Sequence, residues 1–165
     1  MKKIVLFLLI YNFIFSWDIL KPENNSALNQ THVLFEWEQQ HNNAFYVLEI
    51  SKSEFFEPDE CVICNQYIDE SLIYIAKDVL EWDTQYWWKV TAYDNNNQSA
   101  QEIKTFSTTS PISNTSTELY TNDAQEGLTI FGSFFDYYSA VIDQNGNEIW
   151  NSGDQDLIFY NTDKY

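Results

Sequence analysis

Gln85-Tyr86-Trp87-Trp88-Lys89-Val90-Thr91-Ala92-Tyr93 carries the strongest strand signal in the chain. Tyr86, Trp88, Val90 and Ala92 alternate with Trp87, Lys89 and Thr91, and a period of two belongs to a strand with one buried face. Aromatic and β-branched side chains fill the segment, and such residues fit a pleated, half-buried surface. The inward row assigns Tyr86, Trp88 and Val90 to the core and leaves Trp87 on the opposite face.

Segments on either side repeat the alternation. Val33, Phe35 and Trp37 alternate with Leu34, Glu36 and Glu38, and the stretch 44–51 sets Tyr46, Leu48 and Ile50 against Phe45, Val47 and Glu49. Weaker strands are expected over 62–68 and 72–75, a short edge strand near 26–28, and a closing strand over 102–107. Polar runs at 39–43 and 94–97 read as turns, because short polar side chains satisfy nearby backbone groups. No stretch sustains a helical period. Six or seven short strands over about 90 residues predict an all-β fold, with a β-sandwich as the natural packing.

Composition agrees with a packed β protein and narrows its partners. Of 165 residues, 44% are hydrophobic and 18% aromatic, enough apolar surface to argue against disorder. Eight Lys+Arg face 25 Asp+Glu, a formal charge of −17. That balance argues against nucleic acid as a partner, since binding a phosphate backbone needs cationic side chains to displace counterions.

The first residues have a different purpose. Lys2-Lys3 precede an apolar run from Ile4 to Phe15 that ends at Ser16, the layout of a secretory signal peptide. An uncleaved anchor is the competing reading. The run is short for a membrane span, which needs about 20 residues, and it contains Asn12. Residues 1–16 are therefore read as a signal, with no stable membrane span after cleavage. The mature charge would be −19, and the expected location is secreted, periplasmic or at the cell surface. Export would place Cys61 and Cys64 in an oxidising compartment. Their spacing suits a local structural disulfide; free thiols and a redox pair are the alternatives, the last disfavoured by the acids around it.

Residues 17–109 form the predicted sandwich and 110–118 a Thr/Ser-rich linker. Residues 119–165 form a partial β unit: a strand over 127–134, then a hairpin turning at Gln144-Asn145-Gly146-Asn147. Asn-Gly accepts the positive φ that tight hairpins require.

Several anchors fall in the order of a known family. Leu80-x-x-x-Thr84-x-Tyr86-x-Trp88-x-Val90-x-Ala92 resembles the sixth strand of fibronectin type III domains. Trp37 matches that family's core tryptophan on the second strand, Tyr46-x-Leu48-x-Ile50-Ser51 its third strand, and Phe106-Ser107-Thr108 its closing strand. The resemblance covers about residues 20–109 and implies an immunoglobulin-like sandwich. It also implies that Tyr86, six residues after Leu80, hydrogen-bonds back to the backbone. The tail, Gly127-Leu128-Thr129-Ile130-Phe131-Gly132 followed by Asp143-x-x-Gly146-x-x-x-Trp150, more loosely resembles the opening of secreted arylsulfotransferase-like β-propellers. Neither His32 nor His41 matches that family's catalytic histidine.

No catalytic, cofactor-binding or metal-ligating residue is assigned from the sequence. No Ser–His–acid set or phosphate-cradling loop is visible. The acids at Glu57, Asp59 and Glu60, at Asp69-Glu70, and at Asp143 and Asp154–Asp156 are read as solvated faces, with calcium as the alternative at the last two. Trp82 and Trp87 are the candidates for surface stacking on a sugar or a neighbouring domain. The expected function is a non-catalytic secreted accessory or interaction module, with a protein or a C-terminal domain as partner. The alternatives are the N-terminal part of a sulfotransferase-like propeller enzyme and a carbohydrate-binding or adhesion module.

Overall fold

The computed structural model describes residues 17–40, 45–94, 97–113, 127–133 and 137–154. The expected signal segment lies outside them, as do His41, Phe134 and Asp156. The described residues hold eleven strands and no helix: β1 (Ile19–Lys21), β2 (Ser26–Leu28), β3 (Val33–Trp37), β4 (Phe45–Ser51), β5 (Cys61–Ile68), β6 (Ile73–Ala76), β7 (Gln85–Asp94), β8 (Asn97–Thr108), β9 (Thr129–Ser133), β10 (Tyr138–Ile142) and β11 (Glu148–Asn151).

Three strands in the order β1-β3-β6 face five in the order β2-β8-β7-β4-β5, and one core lies between them. Each sheet supplies its inward row. Val33, Phe35 and Trp37 come from β3, Tyr46, Leu48 and Ile50 from β4, and Tyr86, Trp88, Val90 and Ala92 from β7; all are buried. The registers Ile50↔Trp88 and Tyr86↔Phe106 bring these rows side by side. Across the gap the Phe35 ring meets Trp88 edge-on at 4.9 Å between centroids, and Phe106 at 5.7 Å. Trp37 packs against Tyr46 at 5.6 Å. Removing one such buried aromatic costs about 3–5 kcal/mol, because transfer free energy and cavity formation add.

The first strand is split. β1 pairs with β3, whereas β2 crosses to the other sheet and runs parallel to β8, with Ser26 opposite Phe106. From its sequence the region 17–31 reads as turns with one short edge strand, so β1 is additional. Long-range polar contacts hold it in place. The Ile19 amide donates to Glu102 Oε2 at 2.9 Å, and Lys104 Nζ meets Asp18 Oδ1 at 2.6 Å and also donates to the Ile19 carbonyl. Glu102 and Lys104 sit on the core-facing row of β8, beyond the stretch that β2 covers. Inward-pointing charges on a sheet edge discourage pairing with another chain.

Leu80 and Tyr86 close one end of the core. The Glu81 amide donates to the Tyr86 hydroxyl at 2.8 Å, tying the loop before β7 to the buried ring. Burial pushes that hydroxyl above the ordinary tyrosine range, so it stays neutral.

β9, β10 and β11 make a separate antiparallel meander. It is fastened to the sandwich where β11 runs beside residues 29–31, through an isolated bridge between Gln30 and Trp150. The Thr31 amide donates to the Ile149 carbonyl at 2.9 Å, and the Asn151 amide to the Asn29 carbonyl at 3.0 Å.

Tyr86→Phe tests the tie at the core's end. The Glu81 amide would lose its acceptor while the ring remains, so unfolding free energy should fall by about 1–3 kcal/mol in urea titration. Unchanged stability would show that the bond contributes nothing.

Candidate functional site

The two candidate stacking tryptophans go to different places. Trp82 lies in the turn before β7, and its indole N–H donates to the Glu148 carbonyl at 2.9 Å. It therefore serves the junction between the sandwich and the meander. Glu148 itself is buried there. Its Oε1 accepts from the Ile112 amide at 3.1 Å and from Asn151 Nδ2 at 2.7 Å. Its Oε2 accepts from the Ser113 amide at 2.7 Å and from the Ser113 hydroxyl. A buried carboxylate costs several kcal/mol in desolvation unless it is hydrogen-bonded, and four donors here supply that compensation. These contacts also fix the described part of the segment expected to be a linker.

Trp87 is half-buried on the outer face of β7 and lines an open cleft of ≈ 640 Å³ with Lys52, Glu54, Glu57, Asp59 and Glu60. The loop between β4 and β5 makes the cleft wall and is held by its own hydrogen bonds. The Lys52 amide and the Ser51 hydroxyl both donate to the Glu60 carbonyl, and the Ser53 amide donates to Ser51 Oγ. Phe56 turns through φ 55°, a left-handed conformation uncommon for a bulky residue, and its ring lies 4.2 Å from Lys89 Nζ. Lys89 also pairs with Glu49 at 2.9 Å. Lys52 is drawn aside to Glu81 at 2.8 Å, and that hydrogen bond holds its ammonium above the ordinary lysine range despite some desolvation.

Cys61 and Cys64 are joined by a disulfide at the start of β5, their Cα atoms 5.8 Å apart. β5 carries extra residues relative to β4 here: the register shifts between Leu48 and Ile50 and again between Ile50 and Ser51. The bridge spans this doubly irregular edge, which follows directly from the cleft wall at Glu60.

The other acidic groups are turn elements. Asp143 Oδ1 accepts from the amides of Asn145 and Asn147, each at 2.8 Å, and Oδ2 from Asn147 Nδ2 at 2.8 Å. Partial desolvation pushes Asp143 up, but these hydrogen bonds outweigh it and hold the carboxyl below the usual range. The carboxylate is engaged in stapling the β10–β11 hairpin. His32 pairs with Asp78 at 2.9 Å, beside β3. Among the described residues no group of three or more His, Cys, Asp or Glu is arranged to hold a metal ion, and no helix is long and apolar enough to cross a membrane.

Glu148 is the residue that sequence reasoning missed. An acid at the start of a hairpin strand reads as solvated, and three of its four donors lie on Ser113 and Ile112, 35 and 36 positions away. Glu148→Gln is expected to loosen the junction, because its amide nitrogen would face donors whichever way it turned. The cost should be about 2–3 kcal/mol, seen as faster native-state hydrogen exchange at Thr31 and Asn151 with Leu48 and Val90 unchanged. Unaltered exchange at Thr31 and Asn151 would remove Glu148 from the junction's energetics.

Compared with known proteins, the chain matches no family model, no curated protein and no solved structure.

Proposed function

We propose that this chain is an exported, non-catalytic interaction module, built on a fibronectin type III-like sandwich with a second β unit docked on it. The observation that carries this reading is the order of strands and the residues they hold. Counting the split β1/β2 as one strand, Trp37 lies on the second strand and Tyr46 to Ser51 on the third. Tyr86 to Ala92 lie on the sixth and Phe106 to Thr108 on the closing strand, the positions that the resemblance assigns. The bond from the Glu81 amide to the Tyr86 hydroxyl supports it further.

Export draws support from the signal-like sequence of residues 1–16 and from the disulfide, since such bonds persist in oxidising compartments. The interaction role draws support from the cleft at Trp87, a concave, charged surface presented by a hydrogen-bonded loop. Proteins commonly place binding residues on loops that a rigid scaffold positions.

A second reading has its own observation. β9, β10 and β11 pair in chain order as an antiparallel meander, and Asp143-x-x-Gly146-x-x-x-Trp150 runs through its last turn and strand. Propeller blades are built from such meanders. In this reading the chain is the N-terminal part of a longer sulfotransferase-like protein.

Intact-mass analysis of the native protein, in separated cytoplasmic and extracytoplasmic fractions, addresses both readings. The module reading expects a chain starting at Trp17 and two hydrogens lighter than the reduced form. Retention of residues 1–16 in a cytoplasmic product would overturn export. A mass extending well past Tyr165, with further Asp-x-x-Gly-x-x-x-Trp repeats, would favour the propeller.

A further inference from the structure

We propose that the Cys61–Cys64 disulfide is a redox-sensitive guard of a sheet edge. Closed, it holds β5 in a bulged form that does not pair. Opened, it frees β5 to pair with the β5 of a second copy of this chain. The device is independent of the module reading, because it needs only one strand and its bond.

β5 is otherwise an unprotected edge. The order β2-β8-β7-β4-β5 leaves one side of it without a strand, and at eight residues it is the longest strand at either end of a sheet among the described residues. Free amides and carbonyls along such an edge are a template for another chain, and proteins ordinarily blunt it with charge or proline. β5 has neither. Cys61-Val62-Ile63-Cys64-Asn65-Gln66-Tyr67-Ile68 contains no acid, no base and no proline, in a chain with 25 Asp+Glu. An uncharged run of β-branched and aromatic side chains is the kind that pairs with its own copies.

Bulges take the place of charge. Against β4 the register runs Leu48↔Gln66, Ile50↔Ile63 and Ser51↔Cys61, so β5 holds one extra residue in each interval. Asn65, in the first interval, sits at φ 54°, outside the region a straight strand uses. Such irregularities bend an edge away from a flat partner. The disulfide encloses the second interval and ends inside the first. It joins Cα atoms 5.8 Å apart, whereas residues three apart in a straight strand are separated by about 10 Å. While the bond is closed, this stretch cannot extend.

The bond has little to contribute elsewhere. It closes a loop between residues three apart, and the chain-entropy gain of a disulfide is least for the shortest loops. Cys64 is exposed, so a small dithiol can reach it. One thiolate of the dithiol attacks the Cys64 sulfur, and Cys61 leaves as a thiolate and takes up a proton. The second thiolate then displaces Cys64 from the mixed disulfide. Two electrons and two protons pass to the cysteine pair, and the dithiol becomes a disulfide.

The test compares three forms of the full chain by sedimentation equilibrium: oxidised, kept reduced with dithiothreitol, and Cys61→Ala/Cys64→Ala. The oxidised chain should be monomeric. The reduced chain and the double variant should self-associate at least about tenfold more tightly, a difference of about 1.4 kcal/mol. The variant has no thiol, so no intermolecular disulfide enters. Association should strengthen with added salt, because copies at −17 repel one another elsewhere. Adding Tyr67→Lys, which puts a charge on an exposed position of β5, should return the variant to monomer.

Equal self-association of the oxidised and opened forms would overturn the proposal. So would association unmoved by Tyr67→Lys, which would assign the contact to another edge such as β9. Loss of amide-exchange protection at Val90 and Phe106 on opening would also overturn it, because the bond would then be a staple of the whole core. None of these results alters the N-terminal mass that tests export.

Discussion

The edge-on contact of Phe35 with Trp88, extended by Phe106, is the constraint on which the rest of this molecule depends. Phe35 belongs to one sheet, and Trp88 and Phe106 belong to the other. Burial of apolar rows drives β3 and β7 together, and the interlocked rings fix how the two surfaces meet. Aromatic pairs favour such tilted geometries and add about 0.5–1.5 kcal/mol to their area burial. The indole nitrogens of Trp37 and Trp88 are buried without an acceptor, so both rings act as hydrocarbon in the core. Their packing must offset that polar loss.

Once the inward rows are committed to this core, polar and charged groups are left to the edges, the loops and the junction. The few lysines are placed with care. Lys104 closes the open end of the sandwich over β1 through Asp18 and Glu102, Lys89 pairs with Glu49 across two strands, and Lys52 fixes the cleft loop to Glu81. Glu148 does comparable structural work without a cation, its two oxygens held by four donors at the base of the meander. The acids of the cleft, like Glu36, Glu38 and Asp69, take part in no salt bridge among the described residues.

The legible part of the fold was the part governed by local alternation. Tyr86, Trp88 and Val90 could be placed inward, and Trp87 outward, because a strand puts successive side chains on opposite faces. The Asn145-Gly146 hairpin was equally readable, because its chemistry is confined to the turn. β1 was not, because three residues flanked by turn formers carry no period. Its place is set by Glu102 and Lys104, more than 80 positions away. The fate of Trp82 was hidden for the same reason, since its acceptor lies 66 residues on. The cleft was the least legible feature. Its carboxylates are scattered through a loop that reads as solvated, and only the fold brings them beside Trp87.

Nuclear Overhauser contacts in the folded chain test the central claim most directly. The account predicts cross-peaks from the Phe35 ring protons to those of both Trp88 and Phe106, joining the two sheets through one core. A folded, dispersed spectrum in which Phe35 shows no contact with either ring would contradict it.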